Sequence, residues 1–433
     1  MSAPGTGAGT GAHGVDVDDR GTISRRAALL GAAGLGLAGL AAAAPLPVGA
    51  PAARAATAAA VPSAASIAGA FGFLAAKLDQ RGSGSTLRVP QSYTGGKPGA
   101  AGFVSSFAYD DAIMILAWVA RGTADDLQRA TVLGDALLYA QAHDPIGDGR
   151  TRASYQPDPF VTASGAPYIG SPAANTGNQA WVGMALARLG RATGQGRFLA
   201  GAVRLGDWIR GKTLDTTRAP YGYTGGRDGS DVPYAFKSTE HAIDVFAFFT
   251  MLATLTGDAA WTSRAATASS FIAAMRDGGD GHLWTGTDVD GTTINRTPIP
   301  GDVQNWAYLA TGSSAYSPAV TWVIGQLAAT DGGFTGSSYS SADRSKVWFE
   351  GTAHLALAVR ARGASGDPAR YADLVATLER AQAQAPNADG RGLVAASSDG
   401  LVTGFGDTYD ASLHTGATAW YLLAALGANP FRL

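Results

Sequence analysis

Ser105 to Ala120 reads SSFAYDDAIMILAWVA, and the next three residues are Arg121-Gly122-Thr123. After its first turn this stretch is apolar all round, and a helix apolar all round has to be buried all round. Glycine after the last apolar residue stops the helix, and the polar residue behind it opens another. The stretch that follows, Ala124 to His143, keeps its polar residues on one face. An interior helix, a tight turn and an outer helix therefore follow one another directly.

The same unit recurs along the chain. Apolar segments start near Thr176 (TGNQAWVGMALARLG), Ser238 (STEHAIDVFAFFTMLATL), Asp302 (DVQNWAYLAT), Trp348 (WFEGTAHLALAVRA) and Leu413 (LHTGATAWYLLAAL). Amphipathic segments run from Ser63 to Gln80, Arg197 to Gly211, Ala259 to Asp277, Ser317 to Thr330 and Asp367 to Gln384. With the first pair this predicts six inner helices alternating with six outer ones.

The two kinds of connection differ. Inner-to-outer turns are short: Arg121-Gly122-Thr123, Thr193-Gly194-Gln195, Thr256-Gly257-Asp258 and Gly363 to Gly366. Outer-to-inner connections run to roughly 20 to 30 residues, against a usual median of about 4 to 6, and loops of that length are usually functional. All six long connections are expected on one face, together with the inner-helix N-termini. A hairpin is predicted from Trp284 to Ile294 around Asp290-Gly291. The expected fold is all-α, an (α/α)6 toroid with its long loops on one face, formed by one domain over residues 56–433.

Composition sets the outer bounds. The chain has 433 residues, 46% hydrophobic and 15% charged, with a formal net charge of -2. Such a chain buries a large core, and without a long basic run it carries no footprint for nucleic acid or an anionic membrane. Zero cysteines exclude disulfides, thiolate zinc sites and thiol nucleophiles. Ser24-Arg25-Arg26, then an Ala/Gly/Leu-rich run to about Pro45 and Ala53-Arg54-Ala55, reads as a twin-arginine export signal over residues 1–55, removed on secretion. No permanent membrane span is expected, and the mature protein is expected to be a monomer.

This architecture resembles the six-hairpin glycosidase superfamily over essentially all of the mature chain. The resemblance implies a carbohydrate substrate and a carboxylate pair, one acid to protonate the leaving oxygen and one carboxylate to activate water or attack. Acidic residues fall at four inner-helix starts: Asp110 and Asp111, Glu240, Asp302 and Glu350. Glu240 follows a long aromatic loop and is the expected general acid, although a first-turn Glu also suits the helix dipole. Asp111 is the leading base, Asp110 the next candidate, and Glu350 the alternative. The tandem Asp110-Asp111 resembles the paired aspartates of bacterial endo-α-1,6-mannanases. Asp302 opens its helix and reads as an N-cap.

Three of the six histidines, His241, His354 and His414, fall in inner helices beside these acids. Glu350 and His354 share a helix face at i, i+4. Aromatic platforms suit the flat faces of sugars; Trp181, Trp306, Trp348 and Tyr223 are the candidates, two of which are expected to touch ligand. Asn178, Gln179 and His414 are candidate hydroxyl binders. No metal or cofactor motif stands out, and Asp288-Val289-Asp290-Gly291 reads as a turn. The function expected is a secreted glycoside hydrolase, inverting by architecture. The alternatives are a polysaccharide lyase using Tyr223 or Tyr234, His241 and Asn178, with Lys237, Arg227 and Arg152 facing a uronate, and a non-catalytic glycan-binding protein. An epimerase is less expected in an exported chain.

Overall fold

The computed structural model describes residues 62–433; the twin-arginine stretch lies outside them. The helices are α1 (Ala64–Asp79), a short α2 (Gly96–Ala100), α3 (Ala108–Arg121), α4 (Ala124–Ala142), α5 (Thr176–Thr193), α6 (Gly196–Thr213), α7 (Thr239–Thr256), α8 (Ala259–Ala274), α9 (Gly301–Thr311), α10 (Ser317–Gln326), α11 (Phe349–Arg362), α12 (Asp367–Gln384) and α13 (Thr415–Leu426). The structure is 52% helix and 13% strand. No helix among the described residues is long and apolar enough to cross a membrane.

The inner ring is α3, α5, α7, α9, α11 and α13. Each packs against the next, and α13 packs back on α3. Outside lie α4, α6, α8, α10 and α12, with α1 against α13. The inner helices carry the burial that their sequences require: every residue of α3 from Ala108 to Trp118, and of α13 from Thr415 to Ala425, is buried. The turns behave as the glycines predict, with Gly122, Gly194, Gly257 and Gly363 all left-handed at φ between 61° and 71°. A residue with a Cβ is strained there.

Trp181, Trp306, Trp420 and Phe431 fill the middle of the ring, with ring centroids 5.0 to 6.3 Å apart. Phe431 belongs to a C-terminal tail fastened at the far end, where Arg188 donates to the Asn429 carbonyl and Arg432 to the Leu309 carbonyl. This packing fills the centre with side chains.

The long connectors are where the structure departs from expectation. They carry short strands, and one expected helix ends early: Ser317 to Thr330 stops at Gln326, and Ala328–Asp331 pairs antiparallel with Phe334–Ser337. Gly332 and Gly333, at φ 58° and 82°, make the intervening turn, and that hairpin outcompetes the last helical turn.

The connectors are also joined in a ring. The first backbone N–H of each inner helix has no partner within its own helix. Ala108 donates it to the Ala153 carbonyl at 3.1 Å, Thr176 to Gly225 at 3.0 Å, Thr239 to Thr285 at 2.9 Å, Gly301 to Tyr339 at 2.8 Å, Phe349 to Ala395 at 3.0 Å and Thr415 to Ser92 at 3.0 Å. Each acceptor lies in the next connector round the ring, and the sixth bond returns to the first connector. Strand pairs flank these bonds, among them Phe107↔Ser154, Asn175↔Gly226 and Tyr93↔His414. A closed collar therefore surrounds the inner-helix N-termini.

Candidate active site

Inside the collar a small pocket opens, with about 220 Å³ of space. Tyr109 of α3, Glu240 of α7, Asp302 and Trp306 of α9, and Glu350 of α11 line it, together with Trp348, Tyr339 and Tyr409 from the connectors. Three carboxyl groups thus meet aromatic walls in one place. None of the lining residues is Lys or Arg.

Glu350 is the best-anchored group. It is buried in the first turn of α11, and the Tyr109 hydroxyl donates to its Oε1 at 2.8 Å. The buried indole of Trp420 donates in turn to the Tyr109 oxygen at 2.7 Å. With the indole supplying that proton, the tyrosine's own is directed at Glu350, which is held as an acceptor. His354 lies one turn below, its Nε2 3.6 Å from the same oxygen, among the rings of Trp306, Trp348 and Trp420.

His414 caps α13. Its Nδ1 accepts the Ala417 N–H at 3.1 Å, which places the ring proton on Nε2, facing Asp110 Oδ2 at 3.2 Å. Tyr93 stacks on the imidazole at 4.2 Å. Gly416 is required beside this pair, because a Cβ there would lie 2.5 Å from Asp110 Oδ1.

Several expected assignments change. Asp111 does not line the pocket: it is fully buried, accepts from the Ser106 hydroxyl at 2.8 Å, and its Oδ2 has no hydrogen-bond partner. Desolvation, reinforced by the charge of Asp110, holds its carboxyl well above the usual range. Of the three acids expected as base, Glu350 is the one that lines the pocket. Neighbouring helical residues point about 100° apart, and Asp110 meets His414 rather than lining the pocket. Gln179 is consumed by the Thr151 backbone, accepting its N–H and donating to its carbonyl, both at 2.8 Å. Asn178, in the first turn of α5, is buried and outside the lining.

Of the aromatic candidates, Trp306 and Trp348 line the pocket. Trp181 packs in the ring centre against Tyr109 and Trp306. Tyr223 packs on Phe249, with its hydroxyl on the Arg264 carbonyl, because its strand runs behind α7. His241 is buried beside Glu240, its amide capped by Ser238. Asp302 is not the N-cap, a position held by Pro300; it sits one residue inside the helix and faces the pocket.

The basic residues that a uronate lyase would need are engaged elsewhere. Lys237 is buried on Asp215 and on the carbonyls of Arg218 and Gly291. Arg152 is paired with Asp144, and Arg227 with Asp231. Tyr234 lies outside the lining, packed on Phe236.

Sequence reasoning missed Tyr109, Tyr339, Tyr409 and Asp244. The last is an acid buried within α7, one turn after Glu240; its position in an apolar run was the available signal. It also missed a grouping of Asp277, Asp280 and His282, whose possible ligand atoms lie within 4.8 Å of one another. The Asp277 carboxylate there already accepts two backbone amides, and Asp280 takes the His282 amide and ring. A larger groove, about 1160 Å³, runs outside between α10 and α12 past Arg370, Asp373 and Arg380.

No family model and no curated protein matches the sequence. Solved structures do match the fold. A sugar epimerase from a ruminal bacterium superposes with a TM-score of 0.61 at 12% identity, over 82% of this chain and 95% of its own. A family 76 glycoside hydrolase from a bovine Bacteroides thetaiotaomicron strain gives 0.59 at 13%, over 83% and 77%. An α-1,6-mannanase of Salegentibacter sp., an inactive variant with two adjacent aspartates changed to asparagine and in complex with α-1,6-mannotriose, gives 0.55 at 13%, over 85% and 99%. This chain has the (α/α)6 toroid fold that these solved structures share.

Proposed function

We propose that the protein is a glycoside hydrolase, with Glu350 as general base and Glu240 as general acid. One observation carries the reading: Glu350 and Glu240 face the same aromatic-walled pocket, and Tyr109 holds Glu350 as an acceptor. Glu350 removes a proton from water as its oxygen attacks the anomeric carbon. The bond from that carbon to the leaving oxygen breaks, and Glu240 supplies the proton the leaving oxygen takes. Three carboxyl groups in one small pocket without Lys or Arg favour a retained proton among them, which an acid needs. Inversion of the anomeric centre is part of the proposal, as are export through Ser24-Arg25-Arg26 and action outside the membrane as a monomer.

Neither Asp110 nor Asp111 lines the pocket, and the reading rests on Glu240 and Glu350 instead. The lyase alternative loses support for want of a basic residue in the lining. The test is incubation of the protein with a panel of mannans, glucans, xylans and galactans, with Glu240→Gln and Glu350→Gln alongside. New reducing ends are expected with wild type, and a loss of about 10²- to 10⁴-fold in kcat with either variant. Turnover by Glu240→Gln within about threefold of wild type removes the acid assignment. Reducing sugars rearranged without any chain shortening would point to an epimerase instead.

A further inference from the structure

The pocket is closed on one side by more than the collar itself. Tyr339 and Tyr409, with ring centroids 5.5 Å apart, pack on Trp348 at 4.8 and 5.7 Å and form a wall. Their connectors are bolted together: Ile299 N–H donates to Ser341 Oγ at 2.8 Å, Ser340 Oγ to the Thr403 carbonyl at 2.7 Å, and Val402 N–H to Asp343 Oδ2 at 3.0 Å. Below, Trp306 lies stacked on Trp420 at 5.8 Å, and the ring centre beneath them is filled. A glycan bound along its length needs a groove open at both ends. Here one side ends on a cross-linked aromatic wall and the bottom on packed indoles.

The lining is short as well: eight residues surround the pocket, and five of them are aromatic. We infer that the pocket takes a single terminal sugar residue, so that units are released from a chain end and internal linkages are not cut. This rests on the glycosidase reading above. Further sugar units would leave through the mouth into solvent and contribute little binding.

The experiment uses full-length Glu240→Gln protein, with methyl glycosides of mannose, glucose and galactose, the trisaccharides α-1,6-mannotriose, cellotriose and maltotriose, and end-less β-cyclodextrin as probes in titration calorimetry. The trisaccharide built from the best-bound sugar is expected within about tenfold of that methyl glycoside, a difference of ~1.4 kcal/mol, with no binding of β-cyclodextrin. A trisaccharide gain of about 100-fold or more, tight binding of the cyclic glucan, or binding of no probe at all overturns the inference. Wild-type protein gives a second reading on any polysaccharide it cuts: monosaccharide should appear while viscosity holds, and an early fall in viscosity overturns chain-end action. Binding in the expected pattern without turnover removes the hydrolase reading and leaves chain-end recognition standing.

Discussion

Asp111→Asn tests the electrostatics of the rim without requiring a substrate. Asp111 is fully buried, with one oxygen on Ser106 and the other without a partner, and burial raises its carboxyl well above the usual range. Unfolded, an aspartate titrates near pH 3.9. Between that value and the higher folded one, the folded state holds a proton that the unfolded state has released. Bound protons are then more numerous in the folded state, so stability falls as pH rises, by about 1.4 kcal/mol per pH unit for this one group. Asparagine has nothing to release. From about pH 4 upward the wild type should therefore lose stability relative to Asp111→Asn, by at most that amount per pH unit. The amide leaves its own polar atoms in the same dry site, but that cost is a constant offset and does not alter the slope. Urea unfolding of both proteins at several pH values gives the comparison. Parallel stability curves would refute the reasoning, since they would mean that Asp111 ionises in the fold as freely as in the unfolded chain.

Tyr109→Phe removes the donor to Glu350 and leaves the buried Trp420 indole without its acceptor; a stability loss of about 1 to 3 kcal/mol is expected by thermal unfolding, with the acid limb of the kcat/KM profile moved to higher pH because the carboxylate form has lost a hydrogen bond. Gly416→Ala places a methyl 2.5 Å from Asp110 Oδ1 and 2.9 Å from the His414 ring, so activity should fall by tenfold or more, roughly the effect of displacing a positioned group, and unchanged kcat/KM would dismiss the Asp110-His414 contact as a support for the site. Gly183→Ala drives a Cβ to 2.2 Å from Phe248, and about 1 to 3 kcal/mol should be lost to overpacking between α5 and α7, read from the denaturation midpoint.

The ring itself was legible because each unit states it locally: an apolar run, a left-handed glycine such as Gly122 or Gly257, then an amphipathic run. Glu240 and Glu350 were legible as rim residues because each stands in the first turn of an otherwise apolar helix. What the sequence could not show is direction and distance. The 100° step between Asp110 and Asp111 sends one toward His414 and the other to Ser106, and nothing in Tyr109-Asp110-Asp111 says which. Gln179 looked available, yet its partner Thr151 lies in a connector 28 residues away. Tyr339 and Tyr409 reach the pocket only because distant connectors pair with one another, and pairing between two-residue strands leaves no period to read.

The six amide hooks around the mouth have a consequence for when the site comes into being. The last of them ties Thr415, near the end of the chain, to Ser92, near the start of the described fold. His414 and Trp420 arrive with the same final helix, and with them come the groups that support Asp110 and Tyr109. A polypeptide still being made thus lacks both the fastening of its rim and the props beneath its base. The pocket is completed only once α13 has been made and Thr415 has met Ser92.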